Sequence, residues 1–365
     1  MLMRKLLFLL LLLSPFYSLV GNPADHTLVT TLHPFHSDSY SKPDSAYELP
    51  DYVKKRRVKE KEIYIKTDIF LIPGSLTYPK CKKNIPLVIL VHGAGPQDRD
   101  ATVGPNKIFK DLAWGLASKG IAVLRYDKRT LIYHERMKER YGDKITVMEE
   151  TVSDVISAIN LAKTLPRIDP QKIFVAGHSL GGMVAPRIAS MKPGLAGVIV
   201  MAGNARPLED IILEQVKYVS ALNVPQVTYT GAPNIPLNRL EQQVAIVKSP
   251  DLSEDIPTEE LPMNLSASYW IDIKNYNHIA AAKNAKVPML FLQGQRDFQV
   301  TLADFTIWKK ELNNLDKISF KLYADLNHLF LEGTGRSSPD EYNIKGNIPD
   351  YVILDIVNWV KKDDR

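Results

Sequence analysis

The chain has 365 residues, of which 45% are hydrophobic, and 46 basic against 41 acidic residues give a formal net charge of +5. This is the composition of a globular protein, and it excludes a disordered chain, a collagen-like chain and a coiled coil. A single cysteine, Cys81, excludes an intrachain disulfide, and the eight histidines show no metal-ligand spacing. We therefore expect no metal and no cofactor. Because charges of both signs are interspersed, we also expect no nucleic-acid partner.

The N-terminus carries the pattern of an export signal. The basic pair Arg4 and Lys5 precedes an apolar run over residues 6–13, which is shorter than the ~20 apolar residues that span a bilayer. The pattern predicts a signal peptide over residues 1–21, with an uncleaved membrane anchor as the alternative, and then a flexible polar lead over residues 22–55. We expect an exported protein, periplasmic or secreted, with no stable membrane span after cleavage.

Elements of an α/β protein follow from residue 58 onward. Alternating apolar residues over 63–72 predict one strand that turns at Pro73-Gly74, and the continuous apolar run 86–91 predicts a strand buried on both faces. Further strands are predicted at residues 121–126, 172–176, 197–202, 287–292 and 318–323. Helical spacing of apolar residues predicts helices at residues 108–118, 152–162, 181–191 and 349–361.

The order of these elements predicts the architecture. Strands that alternate with helices indicate a mostly parallel, doubly wound sheet formed by residues 56–203 and 286–365. Residues 204–285 interrupt the alternation with helical stretches that are punctuated by proline. An insertion at this point lies over the carboxyl ends of the strands, where open α/β sheets bind ligands. We interpret the segment as an inserted helical cap.

Residues 177–181 read Gly-His-Ser-Leu-Gly, a G-x-S-x-G sequence between a predicted strand and a predicted helix. This context is typical of a nucleophile elbow, in which a sharp turn lifts the serine above the sheet edge. The turn strains the backbone at Ser179, and side chains two residues away on either side would clash, which explains Gly177 and Gly181. Ser179 is the predicted nucleophile, and a structural glycine-rich turn is the alternative.

A serine nucleophile needs a base and a carboxylate that orients the base, and in this arrangement they follow in the order serine, acid, histidine. Asp297 and His328 each follow a predicted strand, so both are expected at the same sheet edge as Ser179. We predict His328 as the general base and Asp297 as its orienting acid. Asp304 and Asp325 are the alternatives for the acid.

A tetrahedral intermediate needs hydrogen-bond donors for its oxyanion. The backbone N–H of Leu180, next after the nucleophile, is one predicted donor. The loop after the strand 86–91 reads His-Gly-Ala-Gly-Pro, and its small residues allow the backbone to approach a substrate. We predict Ala94 as the second donor, with Gly95 as the alternative, and we expect His92 to brace the loop.

Three stretches of the chain are distinctive: HGAGPQDRD at residues 92–100, RYDKRT at residues 125–130 and GHSLGGMVAPRIA at residues 177–189. In these motifs the sequence resembles the α/β-hydrolase superfamily, and within it bacterial hydrolases of the dienelactone-hydrolase and acyl-CoA-thioesterase-like branch. The similarity covers about residues 60–361. It implies the α/β-hydrolase fold and a serine hydrolase of carboxylic esters with the triad Ser179, Asp297 and His328.

Charged and aromatic residues near the predicted site are candidates for substrate binding. Arg99, Arg125 or Lys128 would bind a substrate carboxylate, and the alternative is an internal salt-bridge network that braces the oxyanion loop. Tyr269 and Trp270 of the predicted cap would line an apolar substrate pocket, and the alternative is that they pack the core of the cap.

Together these features predict a serine hydrolase that cleaves small-molecule carboxylic esters or thioesters through an acyl-enzyme. One alternative is a peptidase or acyltransferase that uses the same triad. The other is a non-catalytic binding protein on a hydrolase fold, against which the complete triad and oxyanion loop argue.

Overall fold

The structure is a computed structural model that describes residues 47–80, 82–222 and 235–362. The predicted signal peptide, most of the predicted polar lead and Cys81 lie outside these residues. The strands are β1 (Val58–Lys66), β2 (Leu71–Pro79), β3 (Ile85–Val91), β4 (Thr102–Val103), β5 (Asn106–Lys107), β6 (Ala122–Tyr126), β7 (Ile168–His178), β8 (Gly197–Met201), β9 (Met289–Gly294) and β10 (Ile318–Tyr323).

Helices connect most of these strands. The α-helices are α1 (Ile108–Ser118), α2 (Arg129–Ile132), α3 (His134–Tyr141), α4 (Ser153–Ala162), α5 (Leu180–Met191), α6 (Leu208–Ser220), α7 (Leu237–Lys248), α8 (Ala267–Asn275), α9 (His278–Asn284), α10 (Leu302–Leu312) and α11 (Asp350–Val360). A π-helical turn, Met148–Val152, leads directly into α4. Short 3₁₀ turns lie at Lys55–Arg57, Gly142–Lys144, Thr258–Glu260, Pro262–Asn264 and Pro339–Asn343.

Eight of the strands form one sheet, in the order β1-β2-β6-β3-β7-β8-β9-β10. β1 pairs antiparallel with β2, and β2 with β6, whereas all neighbours from β6 to β10 are parallel. The predicted mostly parallel, doubly wound sheet is confirmed. Because parallel strands end at the same edge, the segments that follow β3, β7, β9 and β10 lie together there.

Apolar strands explain why both faces of the sheet are covered by helices. β6, β8 and β9 are buried at every residue, as expected for parallel strands between two helical layers. Along β3, Leu87 and Ile89 belong to one core, and Val88 and Leu90 belong to the other. The first core is closed by α4 and α5, and the second by α1 and α11. The sheet is therefore held between two helical layers.

The first strand differs from the sequence prediction. The chain turns within residues 67–70, where Thr67 Oγ1 accepts a hydrogen bond from a backbone N–H at 3.1 Å. Pro73 and Gly74 lie inside β2, so the predicted turn at these residues is wrong. A Cβ at Gly74 would lie 2.7 Å from the carbonyl oxygen of Arg125 on β6. This glycine therefore permits two strands to approach closely.

The segment between β8 and β9 is helical in its described parts. It contains α6 to α9, and α8 is tied to the rest of the chain by Ser266, whose hydroxyl donates to the carbonyl oxygen of Ile145 at 2.8 Å. These helices lie where the sequence predicts a cap, although the domain boundaries themselves stay a prediction. Within the three described ranges, no helix is long and apolar enough to cross a membrane.

Candidate active site

Ser179 lies at the sharp turn between β7 and α5. Its φ of 57° and ψ of −123° fall in a region that side-chain-bearing residues rarely adopt, and its N–H donates to the carbonyl of Met201 at 2.9 Å. A Cβ at Gly177 would lie 2.1 Å from the carbonyl oxygen of Gly181. A Cβ at Gly181 would lie 2.4 Å from that of Val91. The turn therefore requires both glycines, as the motif predicts.

His328 and Asp297 form a buried hydrogen-bonded pair. The His328 Nδ1 lies 2.7 Å from the Asp297 Oδ2, and the two side chains are only 5% and 0% exposed. The carboxylate also accepts hydrogen bonds from Gln293 Nε2 and from the backbone N–H groups of Gln299 and Val300. These donors fix the carboxylate, which accepts a hydrogen bond from Nδ1. In the neutral imidazole the proton is therefore on Nδ1, and Nε2 is the acceptor.

The alternative acids make other contacts. Asp304 is buried, and its Oδ1 accepts hydrogen bonds from two backbone N–H groups after β8, so it anchors that segment. Asp325 is exposed. Of the three candidate carboxylates, Asp297 is the one that contacts His328.

His178 joins the nucleophile turn to the histidine loop. It precedes Ser179, its Nε2 donates to the carbonyl oxygen of His328 at 2.8 Å, and the two imidazole rings lie 4.6 Å apart. Burial and the neighbouring His328 lower the pKa of His178 to about 3, so it stays neutral. Within the described residues, neither Ser179 Oγ nor His328 Nε2 makes a hydrogen bond. Both atoms are therefore without a hydrogen-bond partner at one sheet edge.

The loop after β3 lies directly against this serine. A Cβ at Gly93 would lie 3.1 Å from the Ser179 Cβ and 3.6 Å from its Oγ, so a glycine here eases the close approach of the loop to this serine. On the other side, Leu180 is the first residue of α5, and its N–H has no acceptor in a preceding helical turn. Backbone N–H groups thus flank Ser179 on two sides.

Ala94 and Gly95 differ in whether their N–H groups are engaged. The Gly95 N–H donates to the Glu150 Oε1 at 3.2 Å. In the part of the chain that the structure describes, the Ala94 N–H has no hydrogen-bond partner, and the residue is exposed. Of the two candidates for the second oxyanion donor, Ala94 is the one with an open N–H.

Buried charged side chains hold this loop from behind. The Lys128 Nζ donates to the carbonyl oxygens of Gly93 and Gly95, at 2.8 and 3.0 Å, and to Glu150 Oε1. The other oxygen of Glu150 accepts a hydrogen bond from the Tyr269 hydroxyl at 2.6 Å. Burial and the adjacent Glu150 raise the pKa of Tyr269, so its hydroxyl stays protonated. Lys128 therefore binds the backbone of the loop, as the bracing hypothesis expects.

His92 braces the same loop. Its Nε2 donates to the carbonyl oxygen of Asp98 at 3.0 Å, and its ring packs against Phe109 and Tyr126 at centroid distances of 5.0 and 5.1 Å. Burial lowers the pKa of His92 to about 3, so the ring is neutral at physiological pH.

Arg99 and Arg125 lie in internal ion pairs. The Arg125 side chain is 2% exposed, and its guanidinium donates to Asp100 and Glu60 at 2.9 Å each. The Arg99 guanidinium donates to the carboxylate of Asp127, with a closest approach of 2.6 Å. These contacts are those of the alternative hypothesis, a salt-bridge network that braces the loop after β3. They give no support to a contact with substrate.

The two aromatic candidates are also buried. Tyr269 and Trp270 are 2% and 0% exposed, and their rings meet edge to face at 6.3 Å. Both belong to the buried core that the helical segment shares with α4 and α5, so their burial favours core packing over a substrate pocket. The described residues also contain no group of three or more His, Cys, Asp or Glu side chains that could hold a metal ion.

A strained serine after a central parallel strand, with a histidine–carboxylate pair at the same sheet edge, is the arrangement of serine hydrolases with the α/β-hydrolase fold, and this protein is one of them. The chain belongs to the family described as serine aminopeptidase, S33, whose model matches residues 83–334.

Individual relatives agree with this assignment. The chain is 40% identical over 318 residues to Esterase EstD of Thermotoga maritima, across 87% of this chain and 71% of that one. Est1E from Butyrivibrio proteoclasticus shares the fold, with a TM-score of 0.52 and 15% identity over 82% of this chain and 99% of that one. An acylaminoacyl peptidase from Pyrococcus horikoshii gives a TM-score of 0.50 and 18% identity over 75% of this chain. The chain spans 38% of the length of that peptidase.

Proposed function

We propose that the protein hydrolyses carboxylic esters of small molecules through an acyl-enzyme formed on Ser179. One observation carries the proposal: the buried pair of His328 and Asp297, 2.7 Å apart, lies at the sheet edge that also holds the strained serine. The similarity to Esterase EstD supports an ester as the substrate.

Each group in the site has a step in this reaction. As Ser179 Oγ attacks the ester carbonyl carbon, His328 Nε2 accepts its proton, and Asp297 stabilises the resulting imidazolium. The N–H groups of Leu180 and Ala94 donate to the oxyanion of the tetrahedral intermediate. His328 then protonates the departing alcohol oxygen, which leaves the acyl-enzyme. Water then attacks the acyl carbon as His328 takes its proton, and when the bond to Ser179 Oγ breaks, His328 returns the proton to Ser179 Oγ and the acid leaves.

A fluorophosphonate probe tests the nucleophile. We expect a covalent adduct on Ser179, located by mass spectrometry, and loss of both the adduct and at least about 10⁴-fold of ester turnover in Ser179→Ala. Ser190→Ala is the matched control, because Ser190 lies on the same helix and its hydroxyl donates to the carbonyl of Arg187 at 2.7 Å. Folded wild-type protein without an adduct would favour the binding-protein alternative.

A peptidase is the second candidate, because the matching family is described by an aminopeptidase. Both reactions use the same nucleophile, so the leaving group distinguishes them. We expect the highest kcat/KM with p-nitrophenyl esters, lower values with thioesters, and the lowest with aminoacyl anilides. Anilide hydrolysis as fast as ester hydrolysis would replace the esterase proposal with the peptidase.

We also propose that the protein is exported. The basic pair Arg4 and Lys5 before the apolar run 6–13 supports this proposal. After expression of the full chain in a bacterial host, we expect the protein in the periplasm with a processed N-terminus, and a chain that lacks residues 1–21 in the cytoplasm. Unprocessed protein in the membrane fraction would indicate the uncleaved anchor instead.

A further inference from the structure

We propose that Lys128 and Glu150 are positioning residues for the oxyanion hole, and that Tyr269 links this pair to the helical segment after β8. The inference rests on the proposed function. In this proposal the pair orients one hydrogen-bond donor, the N–H of Ala94. This N–H stabilises the oxyanion that forms from the substrate carbonyl.

The contact from Lys128 orients the peptide that carries this donor. In a trans peptide the carbonyl oxygen and the following N–H point in opposite directions, and no described peptide bond is cis. The Gly93 carbonyl oxygen lies 2.8 Å from Lys128 Nζ, so the N–H of Ala94 points away from the buried ammonium group. Gly93 itself packs on Ser179. The donor is therefore turned out of the protein interior, beside the nucleophile.

The next peptides are held by the same pair. The Gly95 N–H donates to Glu150 Oε1 at 3.2 Å, and the Gly95 carbonyl accepts from Lys128 Nζ at 3.0 Å. Gly95 has a φ of 77°, a conformation that glycine adopts without strain. One ion pair thus takes up the polar backbone groups on both sides of Ala94 and leaves its N–H open.

The pair is buried, and its groups are saturated. The side chains of Lys128 and Glu150 are 1% and 6% exposed, and the three ammonium protons have three acceptors. Removal of one partner would leave the other as an uncompensated buried charge, so the order of the loop depends on both. Glu150 lies in the π-helical turn Met148–Val152, and such turns are frequent at functional sites.

Tyr269 connects the pair to α8. Its hydroxyl donates to Glu150 Oε2 at 2.6 Å, and the N-terminus of α8 is held by Ser266, which donates to the carbonyl of Ile145 at 2.8 Å. Movement of α8 would withdraw the hydroxyl from Glu150 and alter the anchor of the oxyanion loop. The position of this helix and the geometry of the oxyanion hole are therefore coupled.

The neighbouring ion pair supplies matched controls. Arg129 Nε donates to Asp154 Oδ1 at 2.8 Å, and these side chains are 1% and 0% exposed. Arg129 is one residue from Lys128 in the sequence, and Asp154 is four residues from Glu150. In the described structure neither side chain has a hydrogen bond to the loop 93–95. The two pairs differ in what they anchor and not in burial.

The experiment compares Lys128→Met and Glu150→Gln with Arg129→Met and Asp154→Asn in ester hydrolysis. We expect kcat to fall by about 10- to 100-fold in the first two, as part of the ~10²–10³-fold that one oxyanion donor supplies, with KM within about twofold of wild type. The affinity for a trifluoromethyl ketone, whose adduct carries an oxyanion, should fall by the same factor as kcat. The two controls should keep their kcat per folded molecule.

Tyr269→Phe is the milder variant if Lys128→Met fails to fold. It removes one hydroxyl, and we expect a loss of about 3- to 10-fold in kcat with the same parallel loss of ketone affinity. If the wild-type protein hydrolyses esters and the Lys128, Glu150 and Tyr269 variants have the same kcat as the controls, the positioning role is overturned. The esterase proposal then stays intact. Wild-type protein that hydrolyses no ester would overturn both.

Discussion

The loop that follows β3 borders two polar regions of very different character. At its start, residues 92–95 lie against the strained serine, and the N–H of Ala94 in this stretch has no partner in the described structure. A few residues on, Arg99 pairs with Asp127, and Asp100 pairs with the buried Arg125. The second region has by far the higher density of charge. The first holds the atoms that remain open to a substrate.

The density of charge in these two regions does not indicate which of them is the candidate active site. In the ion-pair region each named cation contacts a carboxylate, so these charged groups pair with each other and hold the loop. In the triad region the carboxylate of Asp297 is held mainly by neutral donors, and its one titratable partner, His328, keeps Nε2 unengaged. The polar atoms open to a substrate are those that the fold leaves without partners among the described residues.

The largest expected contrast comes from the same substitution made in both regions. We expect Asp297→Asn to lower kcat by about 10⁴-fold, because an amide at this position no longer holds the imidazole proton on Nδ1. Asp127→Asn should leave kcat per folded molecule near the wild-type value and lower the free energy of unfolding. Steady-state kinetics and urea denaturation of both variants measure the two effects. Equal losses of kcat would remove the functional distinction between the regions.

A second contrast concerns stability. Arg125→Met leaves Asp100 and Glu60 without their buried cation, and we expect a loss of about 3–5 kcal/mol in the free energy of unfolding. KM should stay unchanged for esters with and without a carboxylate group. Arg99→Met, with a side chain that is 23% exposed, should cost less. A KM that rises only for carboxylate-bearing esters would restore the hypothesis that these arginines bind substrate.

The smallest expected effect is a pH dependence at the triad edge. Folded His178 has a pKa of about 3, whereas in the unfolded chain it titrates near its ordinary value of about 6.5, so between these values the unfolded state binds the extra proton. This group therefore lowers the free energy of unfolding by about 1.4 kcal/mol for each pH unit as the pH falls through that window.

Replacement of this histidine isolates its contribution. The difference in unfolding free energy between wild type and His178→Gln should shrink by about 1.4 kcal/mol for each pH unit from pH 6 to pH 4. The opposing contributions of Asp111 and Asp154, whose pKa values burial raises to about 6, are common to both proteins and cancel. A difference that does not vary with pH would show that His178 is protonated in the folded state.

The sequence predicts the parallel strands of the sheet and the residues that follow them at one edge, because each strand has a local pattern. The G-x-S-x-G turn identifies Ser179, and the rule that parallel strands end at one edge identifies Asp297 and His328. Their contact in the structure agrees with that prediction, while their catalytic roles remain for the nucleophile and triad variants to test.

The parts that the sequence did not predict depend on long-range contacts. Glu150 lies 55 residues from Gly95 and 119 residues from Tyr269, and it precedes the predicted helix 152–162, so no local pattern marks it. His178 occupies a variable position of the motif, and its partner is 150 residues away. The sequence leaves the roles of Arg99 and Arg125 open, because it shows a charge without showing the partner of that charge.

The π-helical turn Met148–Val152 has a consequence for insertions and deletions in this protein. A π turn holds one residue more than an α-helical turn, so deletion of one residue within it would restore a regular helix. Residues before the deletion would then rotate by about 100° relative to α4. If the deleted residue is Thr151 or Val152, the Glu150 side chain would turn away from Gly95 while Asp154 stayed in place. We therefore expect the length of this turn, as well as the identity of Glu150, to decide whether the loop 92–95 stays anchored.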